Sequence, residues 1–106
     1  MKVAVVILNW NGKELLARFI PGILKTLPKD AALYVVDNAS TDASVEFLRS
    51  TFPQVRILSN SENAGHAGGY NRALKQIDAT YYVLLNSDVE VTDSWLDPVI
   101  RRMDQD

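Results

Sequence analysis

Apolar residues in this chain come in short blocks, and blocks of two kinds alternate. Residues 3–8 form a continuous, largely β-branched run, short enough to be a strand buried on both faces. From 13 to 27 the apolar positions Leu15, Leu16, Phe19, Ile20, Ile23, Leu24 and Leu27 recur at helical spacing. Pro21-Gly22 inside that stripe predicts a kink or a split. Further strands are expected over 32–36, 55–58 and 81–85. A helix is expected over 42–51, capped by Thr41 or Ser40 and ended before Pro53. A polar, glycine-bearing loop over 59–69 leads into a helix over 69–77, and a last helix over 94–103 has Asp93 available as its cap.

Strands alternating with helices predict an α/β domain: an open, mostly parallel sheet with right-handed crossovers and helices on both faces. In such sheets ligands collect outside the carboxyl ends of the strands. Each polar cluster in the chain follows such an end: Asn9 and Asn11, Asp37 and Asn38, Asn63 and Gly65, Asn86 and Asp88. Four clusters on one sheet edge point to a ligand site.

Composition narrows the field. At 106 residues, with 47% hydrophobic and 23% charged, the chain is one globular domain, neither disordered nor coiled coil. A net charge of -2 gives no broad attraction to nucleic acid or anionic lipid. Without cysteine there is no disulfide scaffold, thiolate metal site or cysteine nucleophile. No apolar run is long enough to span a bilayer or to form a signal-peptide core, so a cytoplasmic location is expected.

The clusters differ in what they can do. Asn86-Ser87-Asp88 ends the apolar run 82–85, and alternation turns Asn86, Asp88 and Glu90 the same way. Oxygen ligands in such a row suit Mg²⁺ or Mn²⁺, which are often shared with substrate phosphates; the bland alternative is a strand end with Asx turns. Asp37 either organises its turn or accepts a hydrogen bond from a base or ribose; beside the other clusters, ligand binding is favoured. The glycines of 63–71 would let backbone approach a phosphate at a helix N-terminus, or simply meet a need for positive φ. Their spacing fits neither a Walker A loop nor G-x-G-x-x-G. Trp10 sits in the first strand-end loop, where a base could lie. His66 and Arg72 are more ordinary as surface residues.

These residues together resemble the inverting, nucleotide-sugar-dependent glycosyltransferases of family 2, which have the GT-A fold with its Rossmann-like nucleotide-binding half. Residues 5–12 (VVILNWNG) resemble the opening strand, and 35–42 (VVDNASTD) the base-binding segment. Residues 63–71 (NAGHAGGYN) are similar to the N-x-G-F-A-x-G-N-N loop of the rhamnosyltransferase-like branch, and 84–89 (LLNSDV) to its L-N-P-D-V form of the D-x-D motif. His66 stands where Phe is usual, Tyr70 where Asn is, and Asn86 takes the first D-x-D position.

The resemblance implies a nucleoside-diphosphate sugar donor, UDP- or dTDP-linked. Asp37 would accept from the pyrimidine, with Asn38 beside it, and Leu8, Asn9 and Asn11 would flank base and ribose. Asn63, Gly65 and Asn71 would shape the ribose and diphosphate side. Asp88, with Asn86 beside it, would hold Mg²⁺ or Mn²⁺ against the diphosphate. The acceptor would be a saccharide or a lipid-linked one in cell-envelope polysaccharide synthesis, at the inner face of the membrane in the complete enzyme. No residue matches the family's general base, so the chain is expected to be a truncated donor half, inactive alone, with a sheet edge exposed for homodimerisation. A non-catalytic nucleotide-sugar-binding or assembly module is the alternative. A dinucleotide-binding domain would need a glycine fingerprint after the first strand, where only Gly12 stands.

Overall fold

The structure, a computed structural model, describes residues 2–62, 65–85, 96, 101, 102 and 104. In chain order the elements are β1 (Val3–Asn9), α1 (Lys13–Thr26), β2 (Ala31–Asn38), α2 (Ser44–Thr51), β3 (Arg56–Asn60), α3 (Gly65–Leu74) and β4 (Tyr81–Leu85). The strands form one sheet in the order β3-β2-β1-β4, every pair parallel. Val5 of β1 faces Leu33 of β2 on one side and Val83 of β4 on the other.

Alternation along the central strand divides the core. Val3, Val5 and Ile7 join Leu33 and Val35 under Leu16, Ile20 and Ile23 of α1 and Leu48 of α2. Ala4 and Val6 turn the other way, with Tyr34 and Val36, onto Tyr70, Ala73 and Ile77. The crossovers β1→β2 and β2→β3 run in one direction and lay α1 and α2 on one face. The return from β3 to β4 places α3 on the opposite face, as a uniform crossover hand demands. The expected α/β architecture is therefore present, with helices on both faces.

Several boundaries differ from the pattern-based expectation. α1 is a single helix through Pro21. Pro21 and Ala17 are both exposed, so water can bond the carbonyl that Pro21 leaves without an N–H donor. Leu15, counted in the apolar stripe, is 38% exposed. α2 starts at Ser44 with Ala43 as N-cap, not Thr41 or Ser40, because both of those are bonded elsewhere. β2 runs two residues further than expected, so Asp37 and Asn38 are strand residues.

The largest difference concerns the glycine-rich stretch. β3 extends to Asn60 and α3 already begins at Gly65, so most of the expected loop is ordered secondary structure. A Cβ on Gly69 would come within 2.7 Å of Leu8 Cδ1 and 2.9 Å of Asn38 Nδ2. Glycine here permits a close helix-to-sheet approach inside α3, where the sequence pattern suggests the end of a polar loop. The Asn38 amide is pinned, donating to the Gly65 carbonyl at 3.1 Å and accepting from Asn60 Nδ2 at 2.7 Å. Gly69→Ala is therefore expected to cost about 1–2 kcal/mol by urea denaturation, crowding outweighing the helix propensity it adds. Unchanged or raised stability would mean that Asn38 shifts without penalty.

The expected last helix lies mostly outside the described residues, although Leu96, Arg101, Arg102 and Asp104 are helical. Asp104 accepts from Tyr81 Oη at 2.6 Å and Lys2 Nζ at 2.9 Å. Among the described residues no helix is long and apolar enough to cross a membrane.

Candidate functional site

The carboxyl ends of β1 and β2 are side by side, Asn9 opposite Asp37 in the register. Both are buried, at 1% and 2% exposure, and buried polar groups require partners. Asn9 Nδ2 donates to Asp37 Oδ1 at 2.9 Å and to Ser40 Oγ at 3.2 Å. Ser40 Oγ donates to Asp37 Oδ1 at 2.6 Å, and its main-chain N–H donates to Asp37 Oδ2 at 2.9 Å. Among the described residues three donors thus occupy Asp37, two on Oδ1 and one on Oδ2, and these leave Oδ2 an acceptor position.

The two loops that leave these strands are fastened together. The Asn11 N–H donates to Ser40 Oγ at 2.9 Å, and Asn11 Oδ1 accepts from the Thr41 N–H at 2.7 Å. The Gly12 N–H returns to Asn9 Oδ1 at 3.1 Å. This bonding accommodates non-glycine residues in the left-handed region, Asn11 at φ 53° and Ala39 at φ 63°, where a side chain normally resists. Trp10, between the two fastened asparagines, is 58% exposed.

Asp42 completes the rim. One oxygen accepts from the Lys13 N–H at 3.1 Å, in the first turn of α1; the other accepts from the Ser44 N–H at 3.0 Å, in the first turn of α2, and from the Ser44 hydroxyl. A single carboxylate therefore caps two helices, where unpaired N–H groups and the helix dipoles favour negative charge. Burial, the largest single influence, disfavours its ionised form. The bonds from Ser44 Oγ, the Lys13 N–H and the Ser44 N–H together outweigh it and hold the carboxyl below its usual value. An open cleft of about 520 Å³ lies here, lined by Asn11, Gly12, Lys13, Glu14, Leu15 and Asp42.

On the other side, α3 reaches the same sheet edge. Tyr70 Oη donates to the Leu85 carbonyl at 3.0 Å, where β4 ends, and burial raises its phenol above the usual range. Gly65 meets Asn38 through its carbonyl, Leu8 is half-buried and Asn71 is exposed on α3. The structure thus brings together Leu8, Asn9, Asn11, Asp37, Asn38 and Gly65. Asn63, Asn86 and Asp88 lie outside the described residues, among which no group of three His, Cys, Asp or Glu side chains could hold a metal. Sequence reasoning missed Ser40 as the centre of the network and Asp42 as a shared cap. The spacings Asp37-x-x-Ser40 and Asp42-x-Ser44 are the local signature that could have found them.

Residues 4–106 match the family described as Glycosyl transferase family 2. The chain belongs to that family. Among family relatives, the teichoic acid poly(glycerol phosphate) polymerase of Staphylococcus epidermidis is 27% identical over 85% of this chain and 13% of its own length. An Escherichia coli enzyme, UDP-Glc:alpha-D-GlcNAc-diphosphoundecaprenol beta-1,3-glucosyltransferase WfgD, is 26% identical over 89% of this chain and 36% of its own. The chain thus spans a minor part of each. In structure it is similar to S. aureus TarS 1–349 in complex with UDP-GlcNAc, with a TM-score of 0.84 and 23% identity over 99% of this chain and 32% of that one. It is also similar to the mannosyltransferase PcManGT of Pyrobaculum calidifontis in complex with GDP-Man and Mn²⁺, with a TM-score of 0.79 and 24% identity over 90% and 32%. These likenesses establish a GT-A-like α/β fold for the family 2 domain, and the names of its relatives support a transferase.

Proposed function

We propose that this domain is the donor-binding portion of an inverting glycosyltransferase of the rhamnosyltransferase-like branch, taking a UDP- or dTDP-linked sugar with Mg²⁺ or Mn²⁺. The observation that carries the reading is the convergence of Asn9 and Asp37, from adjacent strands, and Asn11, from the loop after β1, on one sheet edge beside the exposed Trp10. The indole offers a stacking face for a base. The remaining acceptor position on Asp37 Oδ2 suits a pyrimidine N–H, with Asn38 neighbouring it and the main chain of Leu8 to Asn11 flanking base and ribose. Asn63, Gly65 and Asn71 take the ribose and diphosphate side. Asn86 and Asp88 would offer oxygen donors suited to a hard cation, which when bound would offset charge building on the departing nucleoside diphosphate.

In the complete enzyme an acceptor hydroxyl attacks the anomeric carbon as the bond to the diphosphate breaks, and its proton passes to a general base of that enzyme. The acceptor is a saccharide or lipid-linked precursor of a cell-envelope polymer, met at the cytoplasmic face of the membrane. Alone, the domain binds donor without turning it over.

Calorimetric titration with UDP, dTDP and GDP, with and without Mn²⁺, tests the proposal. UDP or dTDP should bind more tightly with Mn²⁺, by about tenfold or more, and Asp88→Ala should abolish that gain. Absence of nucleotide binding, or a preference for GDP, would overturn the donor assignment. β4 is the outer strand of the described sheet and its Leu84 is 48% exposed, which supports a homodimer along this edge. Light scattering on the titrated samples should read a dimer mass at high concentration, and a strictly monomeric mass would exclude it.

A further inference from the structure

We infer that Ser40 is a positioning residue for the nucleoside subsite, acting through the residues on either side of Trp10; the inference rests on the donor reading above. A serine hydroxyl has one proton and two acceptor positions, and here all are used. It donates to Asp37 Oδ1 and accepts from Asn9 Nδ2 and from the Asn11 N–H. Thr41 beside it holds the Asn11 side chain. The residues before and after Trp10 are therefore both tied to the β2–α2 loop, while the indole itself is mostly exposed.

With so little packing of its own, the indole takes its direction from the backbone that carries it. That backbone passes through the left-handed conformation of Asn11, for which Ser40 Oγ supplies the N–H acceptor. Removing the hydroxyl releases this constraint but spares the Asp37 bond to the Ser40 main-chain N–H. A ligand that stacks on Trp10 must then order the loop itself and binds less tightly. The donor reading assigns the metal-dependent gain to Asn86 and Asp88 and not to the loop that carries Trp10, so on that reading the gain should persist.

The experiment compares wild type, Ser40→Ala and Ser40→Thr for UDP binding with Mn²⁺ and with EDTA, together with hydrogen exchange at the Asn11 amide. Ser40→Ala should bind UDP about 3- to 10-fold more weakly in both conditions, with the ratio between them unchanged. Asn11 protection should fall, and Ser40→Thr, which keeps the hydroxyl, should restore both. Wild-type affinity in Ser40→Ala despite lost Asn11 protection overturns the inference. So does a loss of the metal-dependent ratio, which would mean general damage to the fold. If wild type binds neither UDP nor dTDP, the donor reading itself fails, and this outcome is distinct because it arises in the unmutated chain; if it binds dTDP alone, the same comparison is made with dTDP.

Discussion

Asp37→Ala is expected to destabilise the domain by about 3 kcal/mol and to lower Tm by roughly 12–20 °C. The side chain is buried and accepts from the Asn9 amide, the Ser40 hydroxyl and the Ser40 main-chain N–H. Alanine removes every one of these acceptors at once. The hydroxyl can rotate to a new partner, but the Ser40 N–H and an Asn9 amide proton are left facing each other without one. Each such stranded buried donor costs about 1–3 kcal/mol. For a domain with roughly 5–15 kcal/mol of total stability, the loss is large. Asp37→Asn keeps one acceptor oxygen and introduces an NH₂ among donors, so a smaller loss of about 2 kcal/mol is expected. Urea midpoints of the two variants check this. A loss below about 0.5 kcal/mol for alanine would show that the network forms without the carboxylate, as for an ordinary exposed turn residue.

Asp42→Ala is expected to cost about 2–3 kcal/mol, more than a single helix cap, because α1 and α2 lose their N-terminal acceptor together. Asp42→Asn can accept on one oxygen only, so it should retain one cap and fall about midway. The effect depends on pH. The folded-state pKa lies below the usual 3.8, so the stabilisation by ionised Asp42 is fully present above that value and is lost as pH falls through the folded pKa. The stability gap between wild type and Asp42→Asn should be constant above about pH 5 and shrink on acidification below about pH 4. A gap that widens in acid, or an alanine variant no worse than the asparagine one, would rule out the shared cap.

How much of this was legible beforehand follows from the range of each interaction. β1 could be read because a central parallel strand is covered on both faces and therefore must be apolar throughout; its residues 3–7 are buried. The inward stripe of α1 was equally plain at Leu16, Ile20 and Ile23. Pro21 does not split α1: the cost of a missing N–H depends on whether water can reach the orphaned carbonyl, and Ala17 and Pro21 are both exposed. The glycines at 65, 68 and 69 misled for a related reason. Local rules read glycine as loop or turn, whereas at Gly69 the closeness of Leu8 and Asn38 decides.

The candidate site shows the same division. That Asn9, Asn11, Asp37 and Asn38 belong to one sheet edge follows from strand order and period, so the sequence by itself determined the fold class, the edge on which these polar residues gather and the family. Whether Asp37 serves a ligand or its own turn could not be read from the chain, because that depends on neighbours 28 residues back and three ahead. Only the tertiary structure decided that Ser40 joins two loops and that Asp42 caps two helices. Periodic burial is a local pattern that one strand or helix displays alone. Hydrogen-bond partnership is settled by which ends the sheet brings within 3 Å of each other, and β1 and β2 meet only after α1 has crossed between them.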